Sequence, residues 1–182
     1  MTTTAPEPGT LVFCHGNGMI SKAIRLGEWL RYRNGSFWNH VAVIDDEECI
    51  AHNCPYVVEA VGSGVIDHGC LATIAPGGSY ELVPVPEDVS AEDVLTFAQS
   101  QVGDQYGWIS IVSIILRILL PKWVPFPTMR TRSTWVCSAL AGESLRFGGW
   151  YADWSDIYTV VPSELYAAIH DVSVRDLYEA GS

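Results

Sequence analysis

Positive charge is scarce in this chain. Ten Lys and Arg stand against 21 Asp and Glu, a formal net charge of -11. Such a surface repels phosphate backbones, which makes nucleic acid a poor partner. It also repels anionic wall polymers and anionic lipids at low salt. An enzyme held in place by a larger assembly, such as a viral or phage particle, is less affected. Charged residues of both signs make up only 17% of the sequence, too few for a disordered chain.

Long apolar runs are also missing. The N-terminal MTTTAPEPGT has no basic residue followed by an apolar stretch, so it does not read as a Sec signal peptide, and synthesis in the cytoplasm is the expectation. The most apolar segment, Trp108 to Leu120 (WISIVSIILRILL), has 13 residues, is broken by Arg117 and stops at Pro121. A helix crossing the hydrocarbon core needs roughly 20. Residues 108–120 therefore read as a buried or interfacial helix, with membrane contact the lesser reading. The five cysteines, Cys14, Cys49, Cys54, Cys70 and Cys137, are an odd number in a chain that is not short. That argues against a secreted disulfide scaffold and for a reducing compartment.

What is present is a core. Hydrophobic residues make up 48%, with seven Trp, eight Tyr and five Phe in 182 residues. One domain of this size buries a sizeable interior. No repeat or low-complexity linker divides the chain, so 1–182 reads as a single domain. Residues 1–9 form a polar arm, and 108–132 form an apolar, then Pro-rich insertion that is a candidate lid or groove wall. Alternation and turn signals predict strands near 10–14, 39–45, 48–52, 56–61 and 80–85, with a sixth at 157–161. Pro84 predicts an edge strand or an adjacent bend, and Pro55 a bulge or a break. Helices are predicted over Met19–Arg31, with Ile20, Ile24, Leu26, Trp29 and Leu30 as its apolar face. Others run from the capping-box-like Ser90-x-x-Asp93 to about Val102, from Cys137 to Phe147 before Gly148-Gly149, and from Pro162 to His170. The class is α+β, an antiparallel sheet of about five or six strands packed with helices.

Three residues fit the needs of thiol chemistry, which asks for a thiolate, a neighbouring imidazole and a group to orient the imidazole. Cys137 begins a predicted helix, whose macrodipole favours a thiolate there. His40 lies on the strand NHVAVI. Glu59 sits in the apolar strand VVEAV, where an unpaired carboxylate is costly. If those strands pair, Glu59 lies beside His40 and can fix its ring. Taken singly, each has a plainer reading: a buried structural thiol, a structural strand histidine, a sheet carboxylate paired with an arginine.

In combination they resemble a known family. PGTLVFCHGNGMISKAIRLGEWL, NHVAVI, VVEAVGSGVI, GDQYGW, WVCSALAGESL and PSEL fall in the order seen in the circularly permuted branch of the NlpC-type papain-like cysteine hydrolases, the YiiX-like branch. The resemblance implies a permuted papain-like fold with Cys137 as nucleophile, His40 as base and Glu59 as the third polar residue. Tyr106 matches a tyrosine near the nucleophile that can help bind an oxyanion, with the backbone N–H of Cys137 as the other donor. Thr10 stands where Asp is usual and Ala139 where Glu is common. The implied activity is amide hydrolysis in a peptidoglycan stem peptide, with no cofactor and no metal. The alternatives are a lipid or acyl amidase or acyltransferase of the same fold, and a non-catalytic assembly module, because fold does not imply function.

Two rivals come from the residues themselves. Cys49, His52, Cys54, His68 and Cys70 are all zinc-ligand types, but CxxHxC…HxC matches no standard ligand pairing. HGNG at His15 lacks the lysine and glycine spacing of a phosphate loop.

Overall fold

Residues 11–14 are apolar at every position, the mark of a strand covered on both faces. In the computed structural model they form β1 (Leu11–Cys14), and all four are fully buried. The structure describes residues 6–15, 22, 25–26, 29, 38–49, 54–75, 79–108, 111, 133–152, 157–174 and 176–177. The sheet is completed by β2 (His40–Cys49), β3 (Cys54–Val61), β4 (Gly64–Cys70) and β5 (Tyr80–Val83). Their order is β4-β3-β2-β1-β5, every pairing antiparallel. The class is α+β with a five-stranded antiparallel sheet.

The helices are α1 (Leu71–Ile74, one turn), α2 (Ala91–Ser100), α3 (Cys137–Phe147) and α4 (Pro162–Ile169). Ser90 caps α2, its hydroxyl accepting from the Asp93 N–H at 3.2 Å. One face of the sheet carries Leu11, Phe13, Val41, Val43 and Val58, packed with Val94, Leu140, Leu145 and Leu165 from α2, α3 and α4. The opposite face carries the smaller cluster of Val12, Ala42, Ile44 and Val57 with Leu71 of α1. Burying a Leu or Phe of this kind contributes about 1.5–3 kcal/mol each.

Several expectations are corrected. The strand expected at 48–52 is no separate element: β2 runs on to Cys49, with a register irregularity between Ile44 and Glu48, and 50–53 lie outside the described residues. Residues 157–161 hold a 3₁₀ turn, Ile157–Thr159, because their apolar side chains point into the α3 core instead of alternating. The strand β4 was hidden by GVIDHGC, whose two charged-type residues and two glycines break the alternation. Of the Met19–Arg31 helix, Lys22, Arg25, Leu26 and Trp29 are helical and the rest lies outside the described residues. Leu26 and Trp29 are exposed: three positions apart, they share a side of the helix that does not face the core. Within 108–132 only Trp108 and Ile111 are described, both helical, so the expected apolar helix and lid lie outside the described residues. Among the described residues no helix is long and apolar enough to cross a membrane.

The cysteines also differ from expectation. Cys54 and Cys70 are joined as a disulfide across the β3–β4 hairpin, where the sequence suggested reduced thiols. The odd count concealed this pairing because β4 was not read as a strand. Two of the five candidate zinc ligands are thereby occupied, and among the described residues no three His, Cys, Asp or Glu side chains are grouped to hold a metal ion.

Candidate active site

Helix α3 carries Cys137 as its first residue. Small side chains let it sit deep: Ser138, Ala139, Ala141, Gly142 and Ser144 are all buried. Its start is fixed by Ser138, whose hydroxyl donates to the Val160 carbonyl at 2.6 Å. Val136, the residue before the helix, provides no side-chain cap, so the first-turn N–H groups point toward the Cys137 end without a competing side-chain acceptor. Cys137 itself is only 3% exposed.

His40 opens β2 and Glu59 lies in β3, the neighbouring strand. His40 Nε2 donates to Glu59 Oε2 at 2.6 Å, with side chains 12% and 5% exposed. The ring also hydrogen-bonds with the Cys137 side chain. Burial by itself lowers the His40 pKa. The hydrogen bonds to Cys137 and Glu59, with the attraction of both charges, outweigh it and raise the value to about 10. The structure thus brings together the thiol, the imidazole and the carboxylate singled out in the sequence.

Tyr106 arrives by a separate device. A two-residue strand β6 (Gln105–Tyr106) pairs in parallel with β7 (Thr134–Trp135), Tyr106 opposite Trp135. The Gly107 N–H donates to the Trp135 carbonyl at 2.8 Å, and Trp135 Nε1 donates to Asp104 Oδ2 at 2.9 Å. Trp135 is two residues before Cys137, so this ladder sets Tyr106 next to the start of the helix that Cys137 opens. Tyr106 is buried, and its pKa is pushed upward by that burial and by the nearby Cys137, which keeps the phenol a proton donor. Trp108, 51% exposed, stands edge-on to the Tyr106 ring at 5.3 Å.

Sequence reasoning missed two neighbours. One is Cys14. Its pKa is raised to about 12 by burial and by the charges of Glu59 and Cys137, and it sits at the site, paired with His40 across β1–β2. Gly69 of β4 lies against Glu59 and was overlooked with its strand. A glycine inside a strand was the available signal.

No family model matches this sequence, and no curated protein matches it. Among solved structures it is similar to the crystal structure described as metalloprotein yiiX from Escherichia coli O157:H7. The TM-score is 0.59 at 18% identity, covering 91% of this chain and 94% of that one. The chain has a YiiX-like fold. At this identity the likeness concerns the fold alone.

Proposed function

We propose that this protein is a thiol hydrolase of the permuted papain-like kind, cleaving an amide bond with Cys137, His40 and Glu59. The observation that carries the reading is the buried relay from Glu59 Oε2 through the His40 ring to the Cys137 thiol at a helix start.

The chemistry follows from the groups present. His40 takes the Cys137 proton, and Sγ attacks the substrate carbonyl carbon. The developing oxyanion is met by the Cys137 N–H and the Tyr106 hydroxyl. His40 returns its proton to the leaving nitrogen as the C–N bond breaks, leaving a thioester. Water, deprotonated by His40, then attacks the thioester and releases the acid and the free thiol. Glu59 holds the ring in place and stabilises its charged form throughout.

A peptidoglycan stem peptide is the substrate class we infer first, on the resemblance to NlpC-type enzymes. An acyl-bearing amide is the second reading, favoured by one observation: the exposed indole of Trp108 against Tyr106 offers an apolar contact beside the nucleophile. The test is labelling with a thiol-directed acyl or epoxide probe, read by mass spectrometry. Modification at Cys137, slowed by His40→Ala, is the expected result. Modification spread over several cysteines and indifferent to His40 overturns the hydrolase in favour of a non-catalytic module.

A further inference from the structure

Gly69 lies inside β4, opposite Val57 of β3. Glycine weakens a strand interior by roughly 0.5–1 kcal/mol relative to alanine. Its backbone does not call for it: Gly9, Gly64, Gly103 and Gly149 have positive φ, and Gly69 does not. Space calls for it instead. A Cβ at Gly69 would overlap Glu59 Oε1, fall 3.1 Å from Glu59 Cδ and come within 2.9 Å of Val57 Cγ2. One carboxylate oxygen therefore rests over the bare Cα of Gly69 while the other receives His40.

The strand register adds to this. From Val57↔Gly69 a regular antiparallel ladder would next set Glu59 opposite Asp67, and like charges directly opposite are destabilising. Instead Glu59 faces Ile66, and β4 carries one extra residue between the two pairs. A bulge of this sort re-aims side chains beside it. Asp67 is freed from Glu59 and its Oδ1 lies 2.9 Å from His68 Nδ1 near the surface.

We infer that Gly69 is a positioning residue for the proposed reaction: its missing side chain is the notch that seats Glu59 against His40. The inference rests on the thiol-hydrolase reading for its chemical consequence, but the notch itself does not. A methyl at Gly69 pushes the carboxylate off the ring, and displacement of about 1 Å at a catalytic constellation costs on the order of a hundredfold in rate.

The test compares wild type, Gly69→Ala, Glu59→Ala and the double variant. Two readouts are taken: thermal stability, and the pH profile of Cys137 alkylation by iodoacetamide, located by mass spectrometry. Gly69→Ala is expected to slow alkylation near neutral pH on the order of a hundredfold and to give the profile of Glu59→Ala. In the Glu59→Ala background it is expected to add no further loss of rate, and to cost less stability than in wild type, because the notch is already empty. The Val57 contact is common to both backgrounds and cancels in the cycle. A Gly69→Ala profile equal to wild type, or equal losses in both backgrounds, overturns the inference. If Gly69→Ala alone does not fold, a folded double variant supports the notch and an unfolded one overturns it. If wild-type Cys137 shows no dependence on His40, the hydrolase reading fails, and the stability cycle still decides whether Gly69 seats Glu59.

Discussion

Cys14 stands directly opposite His40 in the antiparallel pairing of β1 with β2, so a second free thiol lies near the ring that interacts with Cys137. Under the proposed function only Cys137 reacts. Cys14 is fully buried, its Sγ faces the Ile74 carbonyl at 3.8 Å, and its pKa stands at about 12. Iodoacetamide at mildly alkaline pH is expected to leave Cys14 unmodified in the folded protein and to reach it after denaturation. Peptide mass spectrometry reads both states. Modification of Cys14 in the native protein at a rate matching Cys137 would contradict this.

The raised pKa of His40 makes a statement about stability. The folded value, about 10, lies above the ordinary 6.5. Stability from the protonated ring is therefore present in full below about pH 6.5, declines as pH rises through the interval, and is lost above about pH 10. The difference in melting temperature between wild type and His40→Ala is expected to narrow on going from about pH 6 to about pH 10. A difference that grows toward alkaline pH would show that the ring is neutral in the fold.

Glu59→Gln keeps an acceptor for His40 Nε2 but removes the charge. Its effect on Cys137 reactivity is expected to be smaller than that of His40→Ala, which removes the base and costs on the order of 100- to 10,000-fold. Rates of probe labelling for the two variants, measured side by side, give the order. A larger loss for Glu59→Gln would mean that the carboxylate does more than orient and stabilise the ring.

Tyr106→Phe removes one hydroxyl and little volume. Loss of a single oxyanion donor costs on the order of 100- to 1,000-fold in turnover. Turnover of an amide substrate is expected to drop by about that factor, with single-step alkylation of Cys137 nearly unchanged, since alkylation forms no oxyanion. Equal loss in both assays would assign Tyr106 to the shape of the site instead.

Ser138→Ala breaks the bond that pins the start of α3 to Val160. It leaves a carbonyl without its hydroxyl partner in the interior, a loss of about 1–3 kcal/mol. Chemical denaturation is the measurement, and an unchanged midpoint would show that the carbonyl finds another donor.

The candidate site and the helices around it were legible in the sequence where a local signal marked them. Ser90-x-x-Asp93 marked a helix start, Cys137 preceded a run of helix formers, and Glu59 was conspicuous in an apolar strand. The support around them was less visible. Gly69 acts by what it lacks, which leaves no mark until β3 and β4 are paired. The disulfide between Cys54 and Cys70 depends on that same pairing, and the bulge near Asp67 breaks the alternation by which β4 would have been found. The parallel pairing of Tyr106 with Trp135 joins residues 29 apart in strands of two residues, too short for any periodic pattern. The 3₁₀ turn at Ile157–Thr159 shows the converse: apolar residues that fit a strand serve a helix packed beside them.

That short parallel ladder has an architectural consequence. The chain departs after Tyr106 and re-enters at Thr134, and the two points are clamped side by side by the hydrogen bonds of β6 and β7. Whatever sequence is spliced between them begins and ends at one fixed doorway next to Cys137. Doubling its length adds only about 0.6 kcal/mol of closure entropy. A change of length between these two points can thus be absorbed without disturbing the β6–β7 pairing or the sheet that carries His40 and Glu59.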